Sequence, residues 1–152
     1  MTQQSNTLGE LTYTRVWDAP RELVFECMTT PKHLAHFWGP VGVSTPVENI
    51  TVDLRPGGAF ITVMVNDEDG SEYPMHGVFV EVVQNEKLSW TEADVEGGMT
   101  TSVTFKDLGN GTCETIAHQT NVPEMYRTSE AQAGMQSSFD RMAGYMATLL
   151  KS

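Results

Sequence analysis

Three side chains stand where chemistry could be done: His76, Glu92 and His118. Each sits within or beside a run of alternating apolar residues, so each is expected to turn with that run toward an interior. A carboxylate beside an imidazole in such a place can serve as general acid or base, with its pKa set by burial. The same types are metal ligands, but these come from separate segments with no helical pair or local motif, so no metal is expected. No nucleophile–base pair and no cofactor motif accompanies them. No cofactor is expected, and an enzyme using Glu92 and His118 is the second reading behind a binding module. Gly57-Gly58 lacks the lysine and the following helix of a phosphate loop.

The elements that must position these groups are strands. Val47–Leu54, Ala59–Asn66, Tyr73–Val83, Lys87–Ala93, Met99–Asp107 and Thr112–Thr120 are β-prone. Between them stand Pro56-Gly57-Gly58, Asp69-Gly70, Asn85-Glu86, Glu96-Gly97-Gly98 and Asn110-Gly111, the turn chemistry of an antiparallel meander. The apolar phase selects one inner face: Val52 and Leu54, Phe60 and Met64, Val78, Val80 and Val82, Leu88 and Trp90, Val103 and Phe105, then Ile116. Folding the meander at its turns sets Thr62 opposite His76, Glu92 opposite Val78 and near Met99 or Thr101, and Thr101 opposite His118. Thr62, His76, Glu92, Thr101 and His118 then form a polar belt across an apolar wall. Such a belt either satisfies itself or orients a mostly apolar ligand.

Before the meander, a strand Leu8–Trp17 meets Asp18-Ala19-Pro20, a capping acid and a first-turn proline. A short helix over Arg21–Met28 follows. Thr30-Pro31 repeats the signal and starts another helix to about Phe37, closed by Trp38-Gly39-Pro40, and Val41–Thr45 reads as loop. Trp38 is placed to cap the mouth of an interior. His33 and His36 read as solvated surface residues, and Asp53 and Arg55 as an outward pair bracing the Gly57-Gly58 turn. The chain closes on a long amphipathic helix over Ser129–Leu150. Met135, Phe139, Met142, Met146 and Leu149 form its apolar stripe, and Ser129 with Gln132 reads as a capping box. A sheet of about seven strands twists and curls, and the helix is its natural filling. The methionines at 64, 135, 142 and 146 suit either a core or an adaptable cavity wall.

Composition narrows the partners. A net charge of −11, from 20 acids and 9 bases, opposes nucleic acid and anionic membrane alike, because both recruit Lys and Arg. Residues 8–152 are expected to form one domain behind a tail, Met1–Thr7. With no basic n-region and no apolar run long enough for a span, the cytoplasm is the expected compartment. Cys27 and Cys113 lie far apart in the chain and in no motif, and read as buried free thiols.

Several pieces in series carry a resemblance. Asp18-Ala19-Pro20-Arg21-Glu22-Leu23-Val24-Phe25, Thr30-Pro31-Lys32-His33-Leu34, Phe37-Trp38-Gly39-Pro40 and Asp53-Leu54-Arg55-Pro56-Gly57-Gly58 are followed by Gly111-Thr112 and Phe139-Asp140-Arg141-Met142. Together they resemble the family similar to the activator of the heat-shock protein 90 ATPase, within the START-like (SRPBCC) superfamily. The resemblance implies an α+β helix-grip fold: a curved antiparallel sheet around a long C-terminal helix, with two short helices after the first strand. A concave apolar wall with few polar groups and a Met-lined helix gives the leading expectation, a small hydrophobic or amphipathic molecule as partner, held between helix and sheet. Trp38, Phe60, Thr62, Met64, His76, Val78, Trp90, Glu92, Thr101, Val103, Ile116, His118, Met135, Phe139, Met142 and Met146 are the expected lining. A chaperone partner at an outer surface, and a homodimer, stay open. Relatives often carry Trp at 135 and a hydrophobic residue at 114; Met135 and Glu114 here imply an interior of different volume and polarity.

Overall fold

The structure, a computed structural model, describes residues 9–151. The expected tail Met1–Thr7, with Leu8 and Ser152, lies outside the described residues. In chain order come β1 (Gly9–Trp17), α1 (Arg21–Thr29), α2 (Pro31–Leu34), β2 (Val43–Ser44), a 3-10 turn (Val47–Asn49) and β3 (Thr51–Val52). They are followed by β4 (Ala59–Asn66), β5 (Glu72–Val83), β6 (Lys87–Glu92), β7 (Met99–Gly109), β8 (Thr112–Val122), a second 3-10 turn (Glu124–Tyr126) and α3 (Ser129–Lys151). The eight strands form one sheet in the order β1-β8-β7-β6-β5-β4-β2, with β3 also on β4. Every strand pairing among the described residues is antiparallel. The curved sheet holds α3 in its concave face: this is the expected helix-grip arrangement.

Two local expectations give way. The strand read over Val47–Leu54 is a 3-10 turn and a two-residue strand, in which only Thr51 and Val52 pair, with Ile61 and Phe60. Pro46 leads into the turn, and Asp53–Gly58 is taken up by a second one, where the Asp53 N–H donates to the Ala59 carbonyl. A Cβ on Gly58 would meet the Asp53 carbonyl oxygen at 2.0 Å, so that position requires glycine. The Arg55 guanidinium Nε bonds both Asp53 carboxylate oxygens at 3.0 and 2.9 Å, the bracing pair expected there. Val41–Thr45, read as loop, contributes β2, which pairs with the far end of β4.

Helix starts also differ from expectation. Asp18 does not cap α1: Pro20 occupies the N-cap position and its carbonyl accepts from Leu23 and Val24. Thr30 precedes α2 but makes no side-chain cap bond. At α3 the cap is Thr128, one residue before the expected Ser129. Its hydroxyl accepts from the Ala131 N–H at 3.1 Å and its carbonyl from Gln132. Gln132 reaches back to the Arg127 carbonyl instead of closing a capping box. Thr128→Ala is therefore expected to cost about 1 kcal/mol in urea denaturation, while Ser129→Ala stays within about 0.5 kcal/mol; the reverse order would return the cap to Ser129.

The stripe of α3 lies as its spacing requires. Met142 and Met146 are buried, and Phe139 sits edge-on to Tyr13 and Trp17 of β1 at 5.8 and 6.0 Å. Polar residues beside the stripe do more than face water. Ser138 is buried and donates to the Phe37 carbonyl; Arg141 donates to the carbonyls of Gly39, Pro40 and Val43. The Ser137 hydroxyl accepts the Val41 N–H. The loop after α2, which carries Trp38, is thereby fastened to the helix, and this helix–loop unit forms one wall facing the sheet. Cys27 and Cys113 are buried and free. Burial, with the Glu26 charge, pushes the Cys27 thiol up to about 12, which leaves it unreactive.

Candidate ligand site on the inner face of the sheet

Strand pairing brings the inner face together as cross-sheet rows. One runs Phe60–Gly77–Glu92–Met99. The next runs Phe79–Trp90–Thr101–Gln119–Leu11. Beyond the first row, Thr62 pairs with Met75. Phe60 lies stacked on Phe79 at 5.1 Å and edge-on to Trp90 at 5.2 Å, and Trp38 closes the group 5.4 Å from Phe60 and 6.3 Å from Trp90.

Of the five residues in the expected belt, Thr62, Glu92 and Thr101 face inward; His76 and His118 do not. The registers of β5 and β8 each slip by one residue from the expected pairing. Ile61, not Thr62, pairs with His76, and Ser102, not Thr101, pairs with His118. A one-residue slip turns every side chain to the other face. Val78 at 46% exposure, Val80 at 54% and Ile116 at 38% accordingly lie on the convex side. Glu114 shares their phase, pairing with Val16 and Lys106, so it does not alter the interior. Val82 returns inward because a bulge between Phe79 and Glu81 restores its phase. Leu54, expected inside, is exposed in the turn after β3.

The displaced histidines are held by partners of their own. His76 bonds Asp94 through its backbone N–H at 2.6 Å and its ring Nδ1 at 3.0 Å, and His118 Nε2 lies 2.8 Å from Glu10. Glu92 and His118 therefore occupy opposite faces of the sheet and cannot work as an acid–base pair. Nor can His76, Glu92 and His118 share an ion.

The positions vacated inside are filled by Met75, Gly77 and Gln119. Gln119 donates to the Thr101 hydroxyl at 3.2 Å, and the Trp38 indole N–H donates to Thr62 at 3.1 Å. Those polar groups are satisfied. The Trp90 indole N–H, in a residue 4% exposed, makes no hydrogen bond of ordinary geometry and lies near enough to the Glu92 carboxyl to act on it as a donor. A Cβ on Gly77 would stand 3.4 Å from Trp90 Cδ1, the carbon bonded to that nitrogen, and 3.2 Å from the Met75 sulfur. The N–H edge of the indole thus borders the bare backbone of Gly77, and Glu92 rises from the residue directly across the ladder. Burial, and then the Asp94 charge, push the Glu92 carboxyl up to about 7, against a smaller downward pull from the Trp90 indole N–H. Gln119 and Gly77 could have been found only through correct register, since neither is marked by composition.

Of the remaining expected lining, Val103 is buried core, and Met64 and Met135 are half-buried. Met146 also borders a separate groove of about 420 Å³ with Val16, Trp17, Ala147 and Leu150. A second groove, of about 550 Å³, lies between α1 and the turn after β5, with Glu22, Glu26, Leu54 and Gln84 on its walls. Neither groove is lined by Trp38, Thr62, Trp90, Glu92 or Thr101.

His33, expected at the surface, is 5% exposed. Its Nε2 lies 3.2 Å from the Glu26 carboxylate and its Nδ1 2.5 Å from the Tyr145 hydroxyl. A carboxylate only accepts, so in the neutral ring Nε2 carries the hydrogen and Nδ1 accepts the phenolic proton. Exposed His36 stacks on the same tyrosine at 4.2 Å. Burial, then the Cys27 and Glu26 charges, raise the Tyr145 phenol above its ordinary value, which keeps it a donor. The cluster fastens α1 and α2 to the C-terminal half of α3.

With this arrangement the comparisons agree. Residues 18–147 match the family described as Activator of Hsp90 ATPase homolog 1-like protein. The chain belongs to that family. A crystal structure of a protein from Chromobacterium violaceum is 25% identical, with a TM-score of 0.81, over 90% of this chain and 96% of that one. One from Nitrosomonas europaea is 24% identical, with a TM-score of 0.83, over 98% and 100% of the two chains. The solution structure of an AHSA1-like protein from Aeromonas hydrophila is 20% identical over 91% and 94%, with a TM-score of 0.75. No curated protein matches the chain. On this face the paired Gly77 and Glu92, with the Trp90 indole of the next row, form the candidate site. Among the described residues, no helix is long and apolar enough to cross a membrane.

Proposed function

We propose that this AHSA1-like chain is a binding protein for a small, mostly apolar molecule, held against the inner face of the sheet beside Gly77. The observation that carries the reading is an inner face on which the half-buried Glu92 carboxyl stands among apolar and flexible side chains, Phe60, Met75, Trp90 and Met99. Met75 and Met99 stand in the adjoining positions of these rows, and Met64 lies nearby on β4. Their thioethers re-pack at low cost to admit a ligand, with the helix–loop unit carrying Trp38 as the opposing wall.

Nile red, a neutral apolar dye, is expected to bind saturably with enhanced fluorescence. Gly77→Ala places a methyl 3.0 Å from the Phe60 carbonyl, 3.2 Å from the Met75 sulfur and 3.4 Å from Trp90 Cδ1, shifting the wall around Glu92, and is expected to weaken binding about tenfold, whereas His118→Gln on the convex face leaves it unchanged. Equal binding to wild type and Gly77→Ala, with both folded by circular dichroism, would remove the site from this face. Native mass spectrometry of freshly purified protein is expected to show a co-purified small molecule.

The description of the family favours a second reading, in which a chaperone is bound at an outer surface. It predicts retention of this chain on an immobilised Hsp90-type chaperone, unaffected by Gly77→Ala.

A further inference from the structure

We infer that the groove between α1 and the turn joining β5 to β6 binds an organic cation, an apolar body carrying a protonated amine, at a site separate from the inner face of the sheet. The groove has a volume of about 550 Å³, within the range of small-molecule sites. Its lining combines two chemistries. Phe25, Leu54 and Val82 supply apolar surface, and Leu54 is 38% exposed there. Glu22 and Glu26 border that surface from α1, and their spacing of four residues puts both carboxylates on one helix face. Among the described residues, none of the lining is Lys or Arg. The bases adjoining it in sequence leave the acids in excess. Arg55 is bonded to Asp53, and Arg21 Nε approaches Glu22 only to 3.7 Å, too far for a hydrogen bond.

The walls are held in place before any ligand arrives. Buried His33 donates its Nε2 hydrogen to Glu26 at 3.2 Å, while most of the Glu26 side chain stays exposed. That carboxylate is thus positioned with lone pairs left over. Opposite, the Glu86 carbonyl accepts from the Phe105 N–H at 2.9 Å and fastens the turn over residues 84–86 to β7. The Asp53–Arg55 brace fixes the turn that carries Leu54, and Phe25 sits edge-on to Phe105 at 5.3 Å. Walls already ordered cost a ligand little on binding. Like charges one helical turn apart repel, and an ammonium set between Glu22 and Glu26 removes that repulsion. A carboxylate would add to it. An alcohol gains a hydrogen bond without the charge attraction.

The test titrates decylamine (protonated at pH 7), 1-decanol and decanoate into the intact, isotope-labelled protein below their aggregation concentrations, following backbone amide shifts. Decylamine is expected to move the amides of α1, Leu54 and residues 84–86. It should bind about tenfold more tightly than decanol or decanoate, the gain of two partly exposed ion pairs. Glu22→Gln combined with Glu26→Gln, which keeps a carbonyl for His33, is expected to bring decylamine to within about threefold of decanol. Gly77→Ala, on the inner face, should leave decylamine binding unchanged. Decylamine binding no more tightly than decanol to the wild type overturns the inference, as does a preference that survives the double substitution. Decylamine shifts confined to β4 and β6, with binding weakened by Gly77→Ala, would move the amine to the inner face and overturn it as well.

Discussion

Replacing Glu92 by Gln is expected to stabilise the protein by about 2 kcal/mol at pH 8 and to leave its stability at pH 4 nearly unchanged. The carboxyl moves from an ordinary value of 4.5 to about 7 on folding, through burial first and then the charge of Asp94. A shift of that size corresponds to at most about 3 kcal/mol, and the partial water access of a half-buried side chain reduces it. The direction is set by proton binding. Between these two values the folded chain holds a proton that the unfolded chain has released, so stability falls as pH rises through that window and is level above it. Asp94 remains ionised beside Glu92. Against the upward push of burial, its bonds to the backbone N–H and ring of His76 hold its own pKa below the usual range. Urea melts of both proteins at pH 4, 6 and 8 check the prediction. If the difference between variant and wild type does not grow with pH, Glu92 is not held in the environment described. A site residue that destabilises its own fold at neutral pH is a common mark of function, which is why this residue is central to the binding reading.

Phe60→Ala carries the other large effect. Phe60 is 1% exposed and touches Phe79, Trp90 and Trp38 through one stacked and two edge contacts. Its removal opens a void in the middle of an aromatic group, and about 4 kcal/mol is expected to be lost. That is a large share of the ~5–15 kcal/mol holding a domain of ordinary stability. The near-UV circular dichroism of Trp38 and Trp90 should weaken with it. Val80→Ala, on the convex face, is the internal comparison and should stay within about 0.5 kcal/mol. Chemical denaturation measures both, and similar losses for the two would contradict the facing of β5.

The contrast between Phe60 and Val80 also marks where strand alternation carries information. In β4 the inward Phe60 and Thr62 alternate with half-buried residues, and the face follows from the pattern. In β5 the run Val78-Phe79-Val80-Glu81-Val82-Val83 is apolar in both phases, so hydrophobicity cannot choose between them. The choice falls to loop parity. Val65 pairs with Glu72 across a six-residue connection that includes the Asn66–Ser71 contact, where an odd connection would have turned His76 inward. In β8 the inner phase is Cys113, Thr115, Ala117 and Gln119, no more apolar than the outer phase with Ile116. The Asn110-Gly111 turn adopts positive φ at both residues, as its sequence requires. A bulge between Asp107 and Gly109 then resets the register behind it. His118 lost its place in the belt to Gln119 for that reason.

Amino-acid order alone determined the features that depend on neighbours in the chain. It set the strand–helix–helix–meander–helix sequence, the turn positions with their Gly and Asn residues, the apolar stripe of α3 and the serial motifs of the AHSA1-like family. These follow from backbone preferences and periodicity within a few residues, and so they are written locally. Tertiary structure alone decided which face each strand presents, the burial of His33 between Glu26 and Tyr145, the fastening of the Trp38 loop by Ser138 and Arg141, and the meeting of Glu92 with the Trp90 N–H above Gly77. Each of these depends on the parity of a loop, a single-residue bulge or a contact between residues distant in the chain. With a side-chain period of two, one residue more or less in a connection moves a histidine from the interior to the outer face.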